Sequence, residues 1–220
     1  MTMNDTPLLT DSYVEQAANW PTSGRHILAH FDDDTIVVYQ AFAPATAQFA
    51  LAHGRFGEGF SYRRMSWIKP NFLWMMYRSD WARSANQETV LGLRLRRSFF
   101  DEILEQAVPS SFVPELYADE SAWQRDVARS DVRLQWDPDH LPTGAPCERR
   151  AVQLGLRDDV LEAYGNRELL EVLDMTPLVA TQREHAATWR DGTLRTPVER
   201  VYSPKSPYAA ARLDLADPPA

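Results

Sequence analysis

Three side chains near the middle of the chain carry the clearest chemical potential. Lys69 stands directly before Pro70, Arg78 lies inside an apolar run, and Trp67 precedes the lysine by two residues. A buried cation is costly unless it is paired, so an ordinary core helix has no use for Lys69 or Arg78. An ammonium and a guanidinium together suit a phosphate or a carboxylate, and an indole outside the helix suits stacking on a planar ring. Pro70 fits the first turn of a helix, whose free N–H groups and positive dipole end would add to an anion site beside Lys69. The plain alternative is a surface lysine next to a helix start. Lysine is rare in this chain, with two against 21 arginines, which favours a specific role.

Arg78 lies four residues after Trp74 and three before Trp81, so on a helix the three are neighbours. It either braces that helix by cation–π packing or points its guanidinium at a ligand. Trp74 and Trp81 fit a core stripe, and Trp67 is the better stacking residue.

Charge distribution sharpens this reading. The 220-residue chain carries a net charge of −8, yet residues 55–97 hold nine Lys/Arg against three acids. One basic window inside an acidic protein implies a local anion site, with Arg64 among its members, and not a long polyanion track. A second reading takes the stripe Arg55, Arg63, Arg64, Lys69, Arg94, Arg96 and Arg97, interleaved with Tyr62 and Trp67, as a nucleic-acid grip for RNA or single strands. A third treats the arginines as solvated and the tryptophans as core, which makes the domain a non-catalytic interaction module. The five histidines show no metal-ligand spacing, so no metal is expected. Cys147 is the lone cysteine and forms no internal disulfide. No phosphate-binding glycine loop and no hydrolase signature occurs. Without a signal-like N-terminus or an apolar run of membrane length, the expectation is a cytoplasmic protein with no membrane partner.

The elements that must position these residues follow from periodicity. A β-branched run predicts a strand over 35–42, after an acidic turn at Asp32, Asp33 and Asp34. Pro44 and Gly54 bracket a helix. A helix follows Pro70 to about Ala82. Alternation predicts strands over 89–96, 132–136 and 151–156. Helices are expected from Phe99 capped by Ser98, over 121–129 and 158–164, and from Thr176 to about Arg190. Residues 169–173 are ambiguous. The expected organisation is a polar leader over 1–24, a single globular domain over 25–192 and a Pro/Ala/Arg-rich tail over 193–220. The fold class is α+β, a single domain of small mixed or antiparallel sheets with flanking helices.

The runs Asp32-Asp33-Asp34-Thr35-Ile36-Val37-Val38-Tyr39-Gln40-Ala41, residues 65–81, Val132-Arg133-Leu134-Gln135-Trp136-Asp137-Pro138 and Val152-Gln153-Leu154-Gly155-Leu156 resemble the family known as domain of unknown function 4291, in order over roughly residues 25–187. At the level of fold, the order of elements is similar to ADP-ribosyltransferases. That resemblance implies NAD held in a cleft between two small sheets, and transfer or cleavage at a glycosidic carbon. It implies catalytic positions at Tyr39 or Gln40, at Ser66 and at Gln153. Such enzymes often carry Glu at the last of these, where charge develops at the anomeric carbon. A neutral Gln153 stabilises that charge less. The resemblance therefore implies an altered transferase, a protein that handles NAD or ADP-ribose, or an inactive descendant. The ligand set expected is Trp67, Lys69, Arg78 and Arg64.

Overall fold

The computed structural model describes residues 8–216. The parts of the expected leader and tail at 1–7 and 217–220 lie outside the described residues.

The acidic turn sets up the first sheet. Asp32 accepts from the backbone of Asp34 and Thr35 and from the Thr35 hydroxyl, which reverses the chain between β3 (Ile27–Phe31) and β4 (Thr35–Phe42). β4 is rich in β-branched residues and runs antiparallel along its full length to β6 (Thr89–Arg96). β10 (Leu169–Asp174) flanks β6, and β12 (Arg200–Tyr202) flanks β3. The strand order is therefore β10-β6-β4-β3-β12. The ambiguous segment at 169–173 is thus a strand, because the edge of β6 offers it a ladder.

The second sheet is built on β9 (Pro146–Leu156). β8 (Val132–His140) pairs along one edge. β2 (Gly24–Arg25) and β5 (Ser66–Ile68) share the other edge, and the two-residue β7 (Val108–Pro109) extends the sheet beyond β8. An isolated backbone bridge joins the two sheets. The backbones of Tyr39 and Lys69 exchange hydrogen bonds at 2.7 and 3.3 Å.

Alternation along the strands divides the apolar side chains between two cores. Ile36, Val38, Leu91, Leu93 and Leu95 face the first core, together with Leu134, Val152 and Leu154 of the second sheet. The helices α2 (Pro44–His53), α4 (Arg97–Gln106) and α6 (Asp158–Gly165) contribute to it. Val37 and Tyr39 face the second core, which α1 (Tyr13–Ala17), α3 (Phe72–Ser79) and α7 (Thr176–Arg183) cover. Both cores share the first sheet, so the described chain is one α+β domain.

Several boundaries differ from the sequence expectation. The described parts of the leader, 8–24, and of the tail, 193–216, are part of the packed body. Leu8, Tyr13 and Trp20 are buried, β1 (Thr10–Ser12) pairs with β11 (Arg195–Pro197), and β12 and α8 (Pro207–Arg212) pack onto the first core. These strands are three residues long, too short to show periodicity. The helix after Pro70 starts at Phe72 with Asn71 as its N-cap. It stops at Asp80, where three consecutive residues, Asp80, Trp81 and Ala82, take positive φ. Ser98 does not cap α4, which begins one residue earlier with Arg96 in the cap position. The last expected helix ends at Arg183, and a separate 3-10 turn covers Trp189–Asp191. α5 (Glu120–Arg129) is capped by Asp119, whose carboxylate accepts from Ala122.

Candidate functional site

The open face of the second sheet holds the polar cluster. Residues of β8 and β9 alternate, so Leu134, Val152 and Leu154 point into the first core while Gln135, Asp137 and Gln153 point away from it. Gln135 and Gln153 are register partners, and Asp137 follows two residues along the same strand. Both amides donate to that one carboxylate. Gln135 Nε2 reaches Asp137 Oδ1 at 3.0 Å, and Gln153 Nε2 reaches Oδ2 at 2.8 Å. Bonds to a charged acceptor are the stronger kind, so the carboxylate is held in place with both amide carbonyls left as acceptors.

Trp67 lies on the same face. Its register partner is Gly155, and a Cβ at that glycine would sit 3.0 Å from the indole ring and 2.6 Å from the Met65 sulfur. The absent side chain lets the ring lie against β9. Lys69 follows two residues later. Its backbone is fixed by the exchange with Tyr39, and its residue is only 5 % exposed. Among the described residues its ammonium makes neither an ion pair nor a hydrogen bond. Burial pulls its pKa down to about 8. The nearby Arg78 charge pushes the same way, and Asp137 opposes both. A buried ammonium without a bonded counter-charge is an expensive arrangement.

The helix next to Lys69 does not add to an anion site in the expected way. Its first N–H groups are already taken: Phe72 N donates to Glu199 Oε1 at 2.7 Å, and Trp74 N donates to Asn71 Oδ1 at 2.7 Å. Glu199 comes from the loop before β12 and is 4 % exposed. Burial raises its carboxyl well above the usual range, although the Phe72 N–H works against that rise. An internal acid therefore occupies the place where a ligand phosphate was expected.

Three of the four residues expected to be catalytic lie elsewhere. Gln40 is buried on the first-core side. It donates to Ser66 Oγ at 2.8 Å and to the Trp67 carbonyl at 3.0 Å, and it accepts from the Tyr164 hydroxyl at 2.6 Å. Gln40 and Ser66 thus tie β4 to β5, with no hydrogen-bonding capacity of the Gln40 amide aimed at a cleft. Tyr39 is wholly buried in the second core, edge-on to Phe72, with no partner for its hydroxyl among the described residues. Burial lifts its pKa well above the normal value. These three positions build the joint between the sheets. Gln153 alone belongs to the open face.

Trp67 lies on that face, and Lys69 follows it two residues along the chain. Arg78 is exposed on α3 and lies within the electrostatic reach of Lys69; its Nη1 donates to Gln87 Oε1 at 3.4 Å. Arg64 is exposed in the loop before β5 and makes no polar contact with the cluster among the described residues. Trp74 and Trp81 are buried. Trp74 and Tyr77 both stack with His140, which ties α3 to the end of β8. The arginine stripe is dispersed: Arg94 pairs with Glu171, Arg96 with Glu168, and Arg97 stacks on Phe31 and Tyr202.

Asp137 and Gln135 are the functional candidates that sequence reasoning missed. The alternation that exposes Gln135 is legible, but Pro138 suggests that the strand stops at Trp136, because proline cannot donate to a ladder. The strand instead continues through Pro138 to His140 with a register shift, which brings Asp137 onto the face.

Among the described residues no group of three or more His, Cys, Asp or Glu is placed to hold a metal ion, and no helix is long and apolar enough to cross a membrane. The molecule is thus an α+β protein with one polar sheet face beside a buried lysine. Residues 26–202 match Domain of unknown function (DUF4291), and the chain belongs to that family. No curated protein matches it.

Proposed function

We propose that the open face of the second sheet binds a small anionic, nucleotide-like ligand of the NAD or ADP-ribose type. The observation that carries this reading is Lys69, a residue only 5 % exposed whose ammonium has no ion pair among the described residues. Phosphate oxygens at Lys69 and Arg78 would supply the missing counter-charge. Ribose hydroxyls would donate to Asp137 and to the free amide carbonyls of Gln135 and Gln153, and Trp67 would stack on the ring.

The chemistry proposed for this face is transfer or cleavage at the glycosidic carbon, in the manner of an ADP-ribosyltransferase. The base leaves with the electron pair of its C–N bond, and water or an acceptor nucleophile then bonds to the same carbon. Asp137 is the carboxylate placed to offset the positive charge that develops there. Gln153 need not be charged in this scheme, because it holds the acid. Fold analogy alone establishes no chemistry, so the support comes from the side chains on this face.

The test is thermal unfolding with NAD, ADP-ribose, ATP and a short RNA, for the wild type and for Lys69→Met. A ligand at 100 times its dissociation constant adds about 2.7 kcal/mol of stability. A shift with NAD or ADP-ribose that Lys69→Met removes is the expected result, followed by assay for released nicotinamide. A shift with RNA alone would replace this reading with the nucleic-acid one. No shift with any of the four would leave an interaction module.

A further inference from the structure

A pocket of about 270 Å³ opens beside β8, with Leu134, Gln135 and Trp136 in its lining. Three arginines from three elements line it: Arg25 of β2, Arg150 of β9 and Arg212 of α8. Its apolar lining includes Leu134, Leu213 and the half-buried Trp136, whose indole N–H is fixed on the Leu213 carbonyl at 3.2 Å.

The charges in this pocket do not balance. Arg25 and Arg150 are register partners across β2 and β9, so their side chains leave the sheet on one face, where like charges oppose each other. Arg25 pairs with Asp214, and Arg212 pairs with Asp126 at 3.3 Å. Arg150 has no ion pair among the described residues; its one polar contact is from Nη2 to the Trp136 carbonyl at 3.4 Å. One guanidinium therefore remains at the pocket with its other donors unspent, beside an indole and above an aliphatic floor.

We propose that this pocket binds a small organic anion: a single ring bearing a carboxylate or phosphate, with the anion on Arg150 and the ring on Trp136 and Leu134. A cavity of about 150 Å³ accepts benzene, so the volume here suits one ring and its anionic group. Guanidinium donors match the planar oxygens of such groups. The pocket shares no charged residue with the Lys69 face, and Gln135 lies between the two.

Phenyl phosphate is the probe, with inorganic phosphate standing for its anionic half and benzyl alcohol, a neutral ring analogue, for the other. Binding is read from the Trp136 indole N–H resonance, assigned by its loss in Trp136→Phe. The expected result is a saturable shift with phenyl phosphate at a dissociation constant on the order of 1 mM or tighter, and binding at least roughly tenfold weaker for either half. Arg150→Gln, at an exposed position, should weaken phenyl phosphate by roughly tenfold without changing the unfolding temperature, while Lys69→Met should leave it unchanged. The proposal is overturned by the absence of saturation, by equal binding of inorganic phosphate or benzyl alcohol, by an Arg150→Gln variant that binds like the wild type, or by loss of the shift in Lys69→Met.

Discussion

Gln153 donates its side-chain amide to the Asp137 carboxylate at 2.8 Å across the β8–β9 pair. This bond turns a neutral residue, at a position where a glutamate was the expected reference, into the support for a carboxylate one strand away. Asp137 is therefore the carboxylate of this face, and the Gln153 amide helps to hold it in place.

Gln153→Glu would put two carboxylates on one oxygen-binding position and lose the N–H donor. Like charges this close raise one of the two pKa values. The variant should be about 1–2 kcal/mol less stable than wild type at pH 7, and the deficit should shrink as the pair takes up a proton below about pH 5. Urea unfolding at both pH values checks this, and an unchanged stability at pH 7 would refute the geometry.

Lys69 should make the protein more stable as pH rises. Its folded pKa of about 8 lies below the ordinary 10.5, so between these values the unfolded chain binds more protons than the folded one. Stability then climbs across that window, by up to about 3 kcal/mol. Below pH 8 the folded state carries the full cost of the buried ammonium. Lys69→Met should therefore stabilise the protein at pH 7 and abolish this part of the rise. The wild-type minus variant difference isolates it from other groups that titrate in the range. An anion bound at Lys69 should release as pH rises above 8, which titration calorimetry at pH 7 and pH 9.5 would record.

Glu199 carries the opposite sign. Its folded pKa is raised by burial, so the stability it contributes is present at low pH and is lost as pH climbs from the ordinary carboxylate range through the raised value. Glu199→Gln keeps an acceptor for Phe72 N–H and should remove that loss, whereas Glu199→Ala leaves the donor buried and unsatisfied, at a cost of about 1–3 kcal/mol. Denaturant midpoints at pH 5 and pH 8 separate the two variants.

Gly155→Ala should disturb the Trp67 ring directly. The new methyl would stand 3.0 Å from the indole and 2.6 Å from the Met65 sulfur. Met65 can swing away, but the ring must lift off β9. Overpacking of this kind costs about 1–3 kcal/mol. Trp67 fluorescence should change with it, and nucleotide-induced stabilisation should fall more than the fold does.

The sequence by itself determined the elements whose signals are local. The β-branched run of β4 and the full length of β6 are legible, and so are the Pro44 to Gly54 bracket of α2 and the core role of Trp74 and Trp81. Those features need only periodicity, proline geometry and a left-handed glycine cap. It also singled out Lys69, a cation beside an apolar run, and Trp67, an indole outside the helix, whereas Gln153 came only from the resemblance to ADP-ribosyltransferases.

The tertiary structure decided which of these residues share a face. Gln40, Ser66 and Tyr39 are close in the chain to plausible chemistry, yet strand pairing turned them into the joint between two sheets. Asp137 entered the site because a strand ran through a proline, and Glu199 reached the start of α3 from 127 residues away in sequence. Two- and three-residue strands such as β2, β7, β11 and β12 exist because a neighbour offers them a ladder. No local pattern encodes a partner that distant. Its effect appears when long-range pairing buries one face and leaves the other open.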